Sequence, residues 1–196
     1  MLQILHKMAA RPWVYDWIQT AAGQKVNLER IRQNVSCSDG DLIIDAGGGT
    51  GVTRSLWPEH CRYVCLDIEM PKLQGFRSKN AKGLCILGDV TRMPFANECA
   101  NVLVCMAVVH HLTDSMLDQL LQEAFRVLKP GGRFVLLDPV LNPNRWAGLL
   151  LWKLDRGSNP RTNSELRRTL ASRFEIIHWE DYAVYHEYVL GIGVKP

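Results

Sequence analysis

Several familiar signals are missing from these 196 residues. The six cysteines include no C-x-x-C pair, and Cys61 and Cys65 have no Cys/His partners at zinc-site spacing. A structural metal is therefore not expected. Cys65, Cys85 and Cys105 sit in apolar, strand-like runs, where the thiol acts as a small hydrophobe, and a reducing cytoplasmic setting is the simplest one. No apolar run approaches the ~18–20 residues of a membrane span. His6, Lys7 and Arg11 interrupt any signal-peptide core, so a soluble protein is expected. Net charge is only +3, from 23 basic and 20 acidic side chains, which gives no electrostatic case for a nucleic-acid partner. There is no G-x-x-x-x-G-K-[ST] phosphate loop. No tyrosine has a lysine four residues later, which removes the Y-x-x-x-K pair of short-chain dehydrogenases.

What is present is a chain of 47% apolar and 22% charged residues, long enough for one sizeable core. Strands are predicted at Leu42–Asp45, Arg62–Asp67, Leu84–Gly88, Asn101–Met106 and Arg133–Asp138. Most are continuous apolar runs, the pattern of parallel strands covered on both faces. Near the N-terminus a helix is broken at Pro12. Beyond it Val14, Trp17, Ile18 and Ala21 form one apolar stripe, with Trp13 at its edge. Thr113 or Asp114 caps an amphipathic helix whose buried face is Leu117, Leu120, Leu121, Ala124 and Leu128, and Lys129-Pro130-Gly131-Gly132 stops it. Thr162-Asn163-Ser164-Glu165 fits a capping box ahead of Leu166 and Leu170. Two last strands, Phe174–Trp179 and Ala183–Val194, are too close for a crossover and must form an antiparallel hairpin. The fold class expected is α/β: a Rossmann-like, doubly wound, seven-stranded sheet, mostly parallel with an antiparallel last strand.

The most informative segment is Leu42-Ile-Ile-Asp-Ala-Gly-Gly-Gly-Thr-Gly51, an apolar strand running through an acid into a glycine loop. Its glycines do not fit G-x-G-x-x-G, since Val52 or Arg54 falls at the third place. D-x-G-x-G-x-G after a strand instead resembles motif I of the class I S-adenosylmethionine-dependent methyltransferases. The resemblance extends over residues 40–140 through the second-strand acid Asp67, Gly88-Asp-Val-Thr-Arg-Met-Pro-Phe95, the pair His110-His111, and Glu123-Ala-Phe-Arg-Val-Leu-Lys-Pro-Gly-Gly-Arg-Phe-Val-Leu-Leu-Asp138. It points to the branch acting on quinones, sterols, lipids and other small natural products. One departure is Asn101, where family members start the fourth strand with aspartate.

The resemblance implies S-adenosylmethionine as cofactor, with S-adenosylhomocysteine as product. The cofactor-binding set is then Asp45, Gly47, Gly49, Gly51, Asp67, Ile68, Asp89, Val90 and Met106. Asp67, 22 residues after Asp45, suits ribose hydroxyls, as the acid does in dinucleotide folds. Asp89 faces the adenine amino group by resemblance; its other reading is a cap on the turn at Thr91-Arg92. His110 and His111 are the candidate bases, needed only for a neutral hydroxyl, amine or carbon acid. The alternative is that one of them caps a helix or bonds the loop. Tyr15, Tyr185 and His186 are weaker candidates.

The whole chain, 1–196, is expected to be one such domain, with a helical cap at 1–35 and a helical insert or lid at 140–172. Trp13 and Trp17 in the cap, and Trp146 and Trp152 in the insert, suggest a small hydrophobic or aromatic acceptor. The basic-flanked helix Arg145–Arg156 has two other readings, contact with a membrane surface or simple burial on the domain. Arg156, Arg161, Arg167, Arg168 and Arg173 suggest either a phosphate or RNA-backbone site or a solvated face. The interspersed Asp155, Glu165 and Glu175 favour the latter. A competing functional class is a protein that binds the cofactor without methylating, either cyclase-like or a regulatory subunit. The oligomeric state is not legible.

Overall fold

The computed structural model describes residues 23–81, 83–142, 159–184 and 187–196. The expectations for Pro12 to Ala21, Trp146, Trp152, Tyr185, His186 and most of the helical insert lie outside them.

In chain order the elements are α1 (Gln24–Asn34), β1 (Leu42–Ala46), a 3-10 turn (Val52–Leu56), β2 (Arg62–Asp67), α2 (Met70–Lys79), β3 (Leu84–Leu87), β4 (Ala100–Met106) and a second 3-10 turn (Val109–His111). Then come α3 (Asp114–Val127), β5 (Leu128–Val140), α4 (Asn163–Ala171), β6 (Glu175–Ala183) and β7 (Glu187–Val194). The seven strands form one sheet in the order β3-β2-β1-β4-β5-β7-β6. Strand β7 runs antiparallel to both β5 and β6, and the pairs among β1 to β5 are parallel. The winding reverses between β1 and β4, and in such sheets the ligand crevice opens outside the strand ends at that point.

Alternation along each strand divides the interior in two. Ile44, Ala46, Leu103, Cys105, Phe134 and Leu136 join the face covered by α3 and α4. Ile43, Cys65, Val102, Val104, Val135 and Leu137 join the face that holds Ile31 of α1 and Leu73 and Phe76 of α2. Each fully buried aliphatic side chain contributes roughly 1.5–3 kcal/mol, which makes this two-sided burial the main stabilising term.

The helix ends follow local chemistry. Thr113 caps α3 by accepting from the Met116 N–H at 3.4 Å. At α4 the capping box is complete: Glu165 N–H donates to Thr162 Oγ1 at 3.4 Å, and Thr162 N–H donates to Glu165 Oε2 at 2.8 Å.

The boundaries differ from expectation chiefly at the α3–β5 junction and in the final hairpin. Leu128 leaves the helix and opens β5. Lys129–Gly132 do stop the helix, yet they form an irregular first turn of that strand, between the Ala100–Leu128 and Val102–Arg133 pairs. Gly131 sits there at φ 74° and donates to the Lys195 carbonyl at 2.8 Å, which anchors the kink to the end of the chain. In the final hairpin Ala183 belongs to β6, paired with Glu187, so the return strand starts later than the apolar pattern suggested. Asn101 fills its atypical position without loss: its Oδ1 accepts from Leu42 N–H at 3.1 Å and from the Lys129 ammonium at 3.0 Å.

Candidate active site

The glycine loop is folded across the ends of β1 and β2. Gly47 and Gly48 N–H both donate to the Leu66 carbonyl, at 2.7 and 3.0 Å, and Gly49 N–H donates to Asp67 Oδ2 at 2.8 Å. Glycine is required at two points in particular. Gly47 has φ 76°, and a Cβ there would lie 2.4 Å from Val108 Cγ2; Gly51 has φ 77°, and a Cβ would meet Phe76 Cδ2 at 2.2 Å. The first contact presses the loop onto the exit of β4. The second seats it on α2.

Asp45 lies beneath this loop. It is 1% exposed, and its Oδ2 accepts from the Thr53 hydroxyl at 2.5 Å and from the Tyr63 hydroxyl. Burial raises its pKa to about 6 despite those two donors, with a further push from the nearby Asp67 charge. The same burial, beside Asp45, holds the Tyr63 hydroxyl well above its ordinary range. As placed, Asp45 shapes the loop from below. Thr53 and Tyr63 were not foreseen as its partners.

Asp67 is buried at the end of β2. One carboxylate oxygen holds Gly49, and the other accepts from Glu69 N–H at 2.8 Å. A carboxylate offers about four lone-pair positions, so two neutral backbone donors leave capacity for two hydroxyls. Leu87, the Cα partner of Asp67, brings Gly88 and Asp89 to the adjoining strand end. Asp89 is half-buried, and its Oδ1 accepts from both Thr91 N–H and Thr91 Oγ1 at 2.8 Å. The turn-capping reading therefore holds for that oxygen. Ile68 stands 68% exposed, Val90 is buried in the α3-side core, and Met106 packs half-buried on the other face.

The exit of β4 carries the histidines. Ala107 adopts φ 56°, which costs a residue with a Cβ about 1–2 kcal/mol. Its N–H still donates to the Leu137 carbonyl at 2.8 Å, and the chain then turns sharply into Val109–His111. His110 is buried and His111 exposed, with ring centroids 4.0 Å apart. His110 Nδ1 lies 2.7 Å from Asp138 Oδ1, and Asp138 Oδ2 accepts from Val108 and Val109 N–H at 2.8 and 2.9 Å.

Asp138, fully buried at the rim of β5, is the site residue that sequence reasoning passed over. It carried the same signal as Asp45 and Asp67, an acid closing an apolar strand. Arg161 is a second surprise. Read as one of a run of surface arginines, it is 8% exposed and turned inward against the histidine turn. Arg173, from the same run, pairs instead with Asp118 at 2.6 Å.

A doubly wound sheet with a glycine loop after β1, an acid ending β2 and acids near the ends of β3 and β5 is an arrangement that α/β proteins use to bind a nucleotide-like cofactor. Residues 44–136 match the family model described as "Methyltransferase domain". The match takes in just under half of the chain and makes this segment similar to methyltransferase domains. A tRNA (carboxymethyluridine(34)-5-O)-methyltransferase of Arabidopsis thaliana is 34% identical over 103 residues, 52% of this chain and 24% of that protein. The ubiquinone/menaquinone biosynthesis C-methyltransferase UbiE of Vibrio parahaemolyticus is 29% identical over 158 residues, 72% of this chain and 59% of that protein. The chain thus spans less than two thirds of the length of either relative. Among solved structures, a Haloferax volcanii putative methyltransferase in complex with the Trm112 methyltransferase activator shares the fold at TM-score 0.82 and 17% identity, covering 96% of each chain.

Proposed function

We propose that this protein transfers a methyl group from S-adenosylmethionine to a small apolar or aromatic acceptor, with His110 as general base. One observation carries the proposal: the glycine loop, bonded to Asp67, packs through Gly47 on Val108, two residues from the His110–Asp138 pair. Cofactor loop and base are thereby joined at one rim.

The residues present fit the cofactor. The loop is a cradle that any Cβ at Gly47 or Gly51 would fill, and Asp67 retains acceptor capacity for ribose hydroxyls. Gly47, Gly49, Gly51 and Asp67 are assigned to hold it, with Ile68, Asp89, Val90 and Met106 along the adenosyl and methionine ends and Asp45 bracing the loop. When bound, the cofactor supplies an electrophilic methyl on a sulfonium. The protein's part is alignment, which is worth ~7–11 kcal/mol in well-oriented reactions. Asp138 Oδ1 holds the proton on His110 Nδ1, and Val108 and Val109 N–H fix the carboxylate. This tautomer, assigned from the hydrogen-bond network, makes Nε2 the basic nitrogen of the ring, the atom assigned here to take a proton from a hydroxyl, amine or carbon acid.

The acceptor's apolar character rests on the tryptophans of 1–35 and 140–172, proposed as cap and lid of a single domain, and on the quinone methyltransferase relative. Described parts of both segments already pack on the sheet. Asn27 of α1 accepts from the Tyr182 hydroxyl at 2.7 Å, and Leu166 and Leu170 of α4 are buried in the α3-side core. Six free thiols support a reducing, cytoplasmic setting. The test is incubation with deuterated-methyl S-adenosylmethionine and either a prenylated hydroquinone in micelles or bulk tRNA. Label in the quinone or a related apolar compound is the expected result. Label in tRNA alone, or no S-adenosylhomocysteine with any acceptor, overturns the proposal.

A further inference from the structure

The turn that carries His110 is only three residues of 3-10 helix, too short to satisfy its own trailing carbonyls. Four consecutive carbonyls there, those of Val109 to Leu112, are all reached from one tripeptide, Asn159-Pro160-Arg161. Asn159 N–H donates to the His110 carbonyl at 3.0 Å, and Asn159 Nδ2 donates to that of His111 at 3.4 Å. Arg161 Nη1 donates to the Val109 carbonyl and Nη2 to the Leu112 carbonyl, both at 2.8 Å. The remaining capacity of the guanidinium goes to the Asn159 carbonyl at 3.3 Å and to Asp114 Oδ1, at 3.1 Å from Nε and 2.7 Å from Nη2.

The same tripeptide also holds the other half of the pair. The Arg161 carbonyl accepts from Leu141 N–H at 2.8 Å, three residues beyond Asp138. One clasp therefore fixes both the turn bearing His110 and the strand end bearing Asp138. It lies immediately before α4, whose N-cap Thr162 follows Arg161. A planar fork of five donors can span two carbonyls and a carboxylate at once; an ammonium on the same stem presents a single point.

We propose that Arg161, with Asn159, is a positioning residue for methyl transfer: it sets the His110–Asp138 hydrogen bond and does not touch the cofactor. This rests on the reading of His110 as the base. The test uses full-length protein labelled with 15N-histidine, comparing wild type, Arg161→Lys, Arg161→Gln and Asn159→Ala. The His110 Nδ1 proton is followed by solvent exchange, and S-adenosylhomocysteine affinity is measured by calorimetry on the same samples. At least tenfold faster exchange is expected in Arg161→Gln, with a smaller increase in Arg161→Lys and Asn159→Ala and affinity within threefold of wild type. Exchange within twofold of wild type in the folded variants overturns the clasp, and so does a parallel collapse of cofactor affinity, the mark of a general loss of structure. If Arg161→Gln does not fold, Arg161→Lys and Asn159→Ala decide by the same criterion of faster exchange at retained affinity. Failure of the wild type to bind S-adenosylhomocysteine would instead refute the cofactor reading, and the exchange comparison would still judge the clasp.

Discussion

Asp45→Asn isolates the energetics of the loop's foundation. The Asp45 carboxyl is 1% exposed, and its pKa rises from the usual 3.8 to about 6 because burial outweighs the hydrogen bonds from Thr53 and Tyr63. The native state therefore binds this proton more tightly than the unfolded chain does. The stabilisation is fully present below the unfolded value of 3.8 and is lost as pH rises through about 6. A shift of about two units at ~1.4 kcal/mol each is ~3 kcal/mol. Asparagine keeps a carbonyl oxygen for Thr53 and Tyr63 but has no charge to form, so the variant lacks this pH dependence. At ~2–4 °C per kcal/mol for a chain of this size, the melting temperature of Asp45→Asn relative to wild type should climb by ~6–12 °C between pH 4 and pH 7. Parallel thermal melts across that range read the effect directly. A difference between the two proteins that stays constant with pH refutes the reasoning.

Three further outcomes follow from the same geometry. Gly47→Ala drives a Cβ to within 2.4 Å of Val108 Cγ2 at a positive φ, so denaturant unfolding should show a loss of ~2 kcal/mol or more; under 0.5 kcal/mol would mean the loop yields freely. Ala107→Gly releases a left-handed strain at φ 56° and should gain ~0.5–1 kcal/mol, so a lower melting temperature contradicts the strained exit. Asp138→Ala strips the buried partner from His110 and from two backbone N–H groups. A cost of ~3 kcal/mol in chemical unfolding is expected, and a neutral result would show that water replaces the carboxylate.

The sheet was legible because its central strands β1, β2, β4 and β5 are buried on both faces and therefore nearly continuous in apolar residues, and because Thr162 and Glu165 announce a helix start through purely local bonds. The place of Asp67 beside the glycine loop was legible for a related reason: an acid that closes the second parallel strand ends next to the loop that follows the first. Long-range bonding left no such trace. Nothing near Asp45 in sequence says that Thr53 and Tyr63 will enclose it, and Arg161 looks like its exposed neighbours until the turn it holds is in place. The helix-to-strand junction at Leu128 was misread because a helical period and a strand start share the same leucine. Asp138 is different. Its signal was present, and the His110 partner 28 residues away gave it meaning only in three dimensions.

The central claim is that the glycine loop and Asp67 hold one adenosyl ligand at the rim beside His110. Calorimetric titration of S-adenosylhomocysteine into wild type and Asp67→Asn tests it most directly. Saturable one-site binding by the wild type, weakened at least tenfold in the variant, is the predicted result; no binding at millimolar ligand, or equal affinity in the two proteins, would contradict it.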